Sequence, residues 1–167
     1  ETPQPPAKPV RPRPKQAIPT GQARQGADAL VAQIFGERLE AARSDEQKTA
    51  LAREMLRIGR EERDAVQRFV VLNRARLLAV EAADLPVALE IVDEMDAGYR
   101  LDVVRARQSV LLDAARHATE QKEWQQIAER AVPMLDAAVA RDDFASAATL
   151  YQAAKLAARR GRDHRLG

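Results

Sequence analysis

The sequence predicts an all-α fold, on three observations. Apolar residues recur at three- and four-residue spacings throughout the body. No run alternates in the manner of a half-buried strand, and no Asn-Gly or Asp-Gly dipeptide offers a tight hairpin turn. The chain has 167 residues, 46% hydrophobic and 31% charged, with only 4% aromatic and no cysteine. That make-up describes one soluble globular domain, and it excludes disulfide frameworks, thiolate metal sites and cysteine nucleophiles.

The elements follow in order. Seven of the nine prolines (Pro3, Pro5, Pro6, Pro9, Pro12, Pro14 and Pro19) fall in the first 19 residues. With few large apolar side chains beside them, they predict an extended, disordered Pro-rich tail. The first helix is expected from about Asp28 to Ala42, with Leu30, Val31, Ile34, Phe35 and Leu39 on one face. Ser44, with Gln47 three residues on, forms a capping-box pattern that opens a second helix, carrying Leu51, Met55, Leu56 and Ile58 and ending near Gly59. The third, Arg63 to Ala83, is apolar around most of its circumference and should be central.

Asp84 caps the fourth helix, in which Pro86 is tolerated in the first turn and Gly98 marks the end. Asp102 opens the fifth. The sixth runs from Glu120 to Ala140 and holds Pro133, whose missing amide hydrogen cannot bond the Glu129 carbonyl and should bend the helix. Asp142 is expected to cap the seventh, with Phe144, Ala147, Ala148, Tyr151, Ala154 and Ala158 on its stripe and Gly161 at its end.

These starts recur roughly every 19 residues, hence a helical hairpin roughly every 38, the range of helical repeat proteins. Short connections imply about seven antiparallel helices stacked as αα-hairpins around a shared core. The domain boundaries expected are a basic Pro-rich linker over residues 1–25, a helical-repeat domain over 26–161 and a basic tail over 162–167.

Charge divides the same way. The formal total of +2 resolves into +4 over residues 1–25, −6 over 26–154 and +4 over 155–167. No run approaches the length of a membrane span. Beginning at Glu1, the chain reads as a processed protein or a piece of a longer one, and an exported location, periplasmic or cell-surface, is favoured over a cytoplasmic one.

Little in the sequence suggests catalysis. Of the two histidines, His117 lies four residues after Asp113 without a second ligand at metal spacing, and His164 lies in the tail. The pairs Glu61 and Glu62, and Asp142 and Asp143, and the group Asp93, Glu94 and Asp96, read as solvated faces and caps, since adjacent helical residues diverge by about 100°. Ser44, Ser109 and Ser146 lie in no nucleophile elbow, and no Gly-rich phosphate loop exists. The expectation is a non-enzyme without metal or cofactor. Trp124 and Tyr151 are expected in the core rather than as exposed anchors, and Asn73 as a buried hydrogen-bonding position.

Asp143, Phe144, Ala147, Tyr151 and Ala154 resemble the second-helix half of a tetratricopeptide repeat: an acidic cap, then bulky and small residues at alternating spacings. Ala88, Val92 and Met95 after Asp84, and Ile127, Ala131 and Met134 after Glu123 and Trp124, repeat the spacing more loosely. The Trp, Leu-Gly and Tyr signature of the first helix is absent. Residues 27–160, above all 68–84 and 140–158, also resemble a helical module near the N-terminus of large exported bacterial multidomain proteins. The resemblance implies a tetratricopeptide-like right-handed superhelix and a role as spacer or interaction platform. Two functions follow as expectations. One is a scaffold or protein-protein interaction module that takes a protein or peptide partner, with Arg68, Asn73, Arg74 and Arg76 as a polar binding face. The alternative is nucleic-acid binding through Arg11, Arg13, Lys15, Arg159, Arg160, Arg162 and Arg165, which would neutralise phosphates.

Overall fold

A computed structural model describes residues 14–161 and is all-helical in its regular structure. Seven helices follow in chain order: α1 (Gly21–Ala41), α2 (Asp45–Glu61), α3 (Ala65–Glu81), α4 (Leu85–Gly98), α5 (Val103–His117), α6 (Gln121–Val139) and α7 (Phe144–Arg160). Of the disordered linker expected over residues 1–25, residues 1–13 lie outside the described residues, as does the basic end from Arg162. Residues 14–25 instead belong to the fold, with Gln16 paired to Tyr99 and α1 beginning at Gly21.

Local chemistry sets most boundaries. The Ser44 hydroxyl accepts the Gln47 amide at 3.2 Å while the Gln47 side chain accepts the Ser44 amide at 3.1 Å, so the capping box opens α2. The carboxylates of Asp64, Asp84, Asp102 and Asp143 accept first-turn amides of α3, α4, α5 and α7. Three boundaries differ from expectation. Helix α1 starts at Gly21 rather than Asp28, since Gly26 and the polar residues around it continue the turn and Ala27 adds to its buried stripe. Gly59 does not end α2; it is buried inside the helix, where a Cβ would lie 2.6 Å from Leu72 Cδ2. Asp142 does not cap α7. It takes a left-handed φ of 56°, and Asp143 is the cap.

The turns α3–α4 and α6–α7 are built alike. Ala83 adopts φ 51°, its amide donates to the Val80 carbonyl and that of Asp84 to Ala79. Asp142 and Asp143 donate likewise to Val139 and Ala138. Each helix thus ends in a Schellman motif whose closing residue is the Asp cap of the following helix.

Helix α3 is the hub. It packs against α1, α2, α4 and α5, and its buried Phe69, Val70, Val71, Leu72, Ala75, Leu78, Ala79 and Val80 wrap most of its surface. Helix α1 packs chiefly on α3 and touches α2 little, so the first two helices do not pair as sequential neighbours. Helices α6 and α7 form the closest pair in the molecule and rest mainly on α5. Ahead of α1, Gln16 pairs in parallel with Tyr99: its amide donates to Gly98 O at 2.9 Å, and its carbonyl accepts the Arg100 amide at 2.7 Å. Lys15 adds an ion pair to Asp96 at 2.8 Å. This strap satisfies backbone groups at the C-terminal end of α4.

Candidate partner-binding grooves

The four residues expected to form one polar binding face are not brought together. Only Asn73 and Arg76 meet, because positions 68, 73, 74 and 76 are spread widely around a helix with 100° per residue. Arg68 is half-buried and bonds Glu94 at 2.5 Å, and its Nε is enclosed without a hydrogen-bond partner among the described residues. Asn73 accepts a 3.1 Å bond from Arg76 and is half-buried rather than fully enclosed. Burial of the Arg76 guanidinium pushes its pKa below the ordinary arginine value, the nearby Asp113 opposing that only in part. Arg74 is exposed and lines a separate cleft with Asp28, Val31, Gly36, Leu39 and Val70.

Arg68 opens into a polar cavity of about 580 Å³ whose walls include Pro14, Gln16, Arg60, Arg63 and Tyr99. The cavity is internally neutralised. Arg60 bonds Glu94 at 3.0 Å and Glu90 at 2.9 Å, and these bonds hold its pKa above the ordinary value. The Tyr99 hydroxyl donates to the Ala65 carbonyl at 2.6 Å, its ring meets Phe69 edge-on at 5.1 Å, and burial raises its pKa.

A second hollow, of about 530 Å³, separates α4 and α5 from α6 and α7. Leu89, Val104, Pro133, Met134 and Leu150 give it an apolar lining. Arg107 reaches Asp93 at 2.6 Å on one wall, and Arg130 stands on another. The hollow exists because α5 and α6 pack closely only in part and α4 barely reaches α6. Sequence reasoning did not find it, since its lining comes from four helices and no local signal joins them.

Asp113 and His117 are not assembled as an acid-base pair. Asp113 accepts bonds from Ser109 at 3.1 Å and Arg116 at 2.9 Å, while His117 is exposed in the last turn of α5. Among the described residues no three His, Asp or Glu side chains group as metal ligands, and no helix is long and apolar enough to cross a membrane.

Of the basic residues expected to meet phosphates, Arg11, Arg13, Arg162 and Arg165 lie outside the described residues. Lys15 is engaged by Asp96, and the Arg160 guanidinium stacks 4.9 Å from the centroid of the Trp124 ring. Trp124 is in the core as expected. Tyr151 and Phe144 are not: they are 51% and 65% exposed, because α7 buries Ala147, Leu150 and Ala157 and turns its aromatics outward. No protein-family model, curated protein or solved structure matches this chain.

Proposed function

We propose that the chain is a non-catalytic interaction module, a tetratricopeptide-like stack of helical hairpins whose hollow between α4–α5 and α6–α7 receives an amphipathic helical segment of a protein partner. The observation that carries the reading is the make-up of that hollow. An apolar patch of Leu89, Val104, Pro133, Met134 and Leu150 lies among polar residues that include Asp93, Arg107 and Arg130. That is the chemistry by which grooves between helices take a helix with apolar anchors at i, i+3 and i+7. The matching Schellman-to-Asp turns of α3–α4 and α6–α7 support a repeat-like organisation.

The test is selection of displayed random peptides on the full chain, followed by titration of the enriched sequences. Ala137 is exposed on the wall of the hollow, so Ala137→Trp should fill it without disturbing the core. Enriched peptides of helical period that bind the Ala137→Trp variant at least about tenfold more weakly would support the reading. No enrichment, or equal binding to the variant, would overturn it.

A further inference from the structure

On the side of α6–α7 away from α5, the described residues leave an apolar surface uncovered. Val132 and Val139, seven residues apart on α6, are 51% and 50% exposed, and Phe144 and Tyr151, seven apart on α7, are similarly bare. Seven residues make two turns, so each pair shares one helix face. The antiparallel register is fixed at both ends. Gln121 and Gln125 bond the Gly161 carbonyl at 3.3 and 3.2 Å, and the short turn joins Val139 to Phe144. Val139 therefore stands level with Phe144, and Val132 with Tyr151.

The matching turns show what this face lacks. Superposing Asp84 on Asp143 places Leu85 on Phe144 and Val92 on Tyr151. Leu85 and Val92 are fully buried, in a helix packed on both α3 and α5, whereas their counterparts have no neighbour on that side among the described residues. Charge then selects the occupant. Exposed acids, Glu129 and Asp136, border the surface on α6, and exposed bases, Lys155 and Arg159, border it on α7. None of the four enters an ion pair among the described residues. Lys155 lies 6.0 Å over the Tyr151 ring, on the same face.

We propose that this surface docks a second copy of the chain, through a two-fold axis parallel to the helices that lays α6 of one copy antiparallel over α7 of the other. That rotation preserves height along the helices. It sets Val139 over the partner copy's Phe144, Val132 over its Tyr151 and Glu129 beside its Lys155, each contact made twice. A two-fold axis across the helices would instead stack α6 on α6 and oppose acid to acid. Two helices about 10 Å wide and ~25 Å long present roughly 500 Å² of flat face before side-chain relief is counted. That approaches the roughly 600 Å² per partner of the smaller stable interfaces.

The proposal is independent of the hollow on the other side of the hairpin and goes beyond the reading given for it. Sedimentation of the full chain over a range of concentrations tests it, with circular dichroism to verify folding of each variant. The expected result is a monomer-dimer equilibrium whose dissociation constant rises about tenfold or more in Tyr151→Glu. Glu129→Lys and Lys155→Glu should each weaken the dimer several-fold at low salt, and the two together should restore it. A monomer at every concentration would assign the surface to another chain or to none and overturn the proposal. So would an assembly larger than a dimer, or a dimer indifferent to these substitutions.

Discussion

Gly59 shows how one residue can be read in two ways. Near the end of an apolar stripe, a glycine suggests a helix terminus. In the structure it is a point of close approach between α2 and α3. A methyl group there would lie 2.6 and 2.8 Å from Leu72 Cδ2 and Cγ, and Leu72 is itself fully buried. Alanine is a better helix former by about 1 kcal/mol, but overpacking at a side chain with no room to retreat costs about 1–3 kcal/mol. Gly59→Ala should therefore destabilise the fold, a net loss visible as a lower urea midpoint with an unchanged slope; a higher midpoint would mean that Leu72 yields freely. Tyr99 gives a second residue-scale expectation. Phenylalanine keeps the edge-on contact with Phe69 but deprives the Ala65 carbonyl of its 2.6 Å donor. Tyr99→Phe should cost about 1–2 kcal/mol in denaturant unfolding, and no loss would mean that the carbonyl finds another donor.

At the scale of elements, carboxylates carry the helix starts, which couples the fold to acid. The Asp143 carboxyl is held below its ordinary pKa by the hydrogen bond to Ser146, chiefly its side chain and then its amide. Glu54 is lowered by its bond to Arg38. A group depressed in the folded state contributes stability that is fully present above its unfolded pKa of about 4 and is lost as pH falls through the folded value. Asparagine also caps helices but does not titrate. The Asp143→Asn variant should consequently lose less stability than the native chain as pH is lowered through and below about 4; parallel losses would remove Asp143 from the acid response. The cap itself was legible only to within one residue. Two adjacent aspartates offer the same chemistry, and only the left-handed φ of Asp142 decides that Asp143 caps. The seven helices, the capping box at Ser44 and the centrality of α3 were legible because they depend on local spacing. The outward turn of Phe144 and Tyr151 was not. Ala-rich α7 offers several faces of similar apolarity, and Leu150, which the expected stripe passed over, is what α7 buries.

For the whole molecule, the distribution of packing predicts where it opens first. Helix α3 is held on four sides, and α4 is tied to it, to α5 and, through Tyr99, to the strap at Gln16. The pair α6–α7 is well joined within itself but rests on the remainder mainly through α5, beside the hollow that separates it from α4. Sub-global opening follows such weak seams, since the free energy of exposing a segment scales with the apolar contact it surrenders. Amide exchange at a concentration low enough to keep the chain monomeric should therefore rank α3 and α4 as the most protected helices. Helices α6 and α7 should exchange earlier and together, because separating them from each other would expose Ile127, Ala131, Leu150 and Ala157 to water. Mild denaturant should lower the protection of that pair before it affects α3. Uniform protection across all seven helices, converging on a single unfolding free energy, would show instead that the seam beside α5 is as strong as the core around α3.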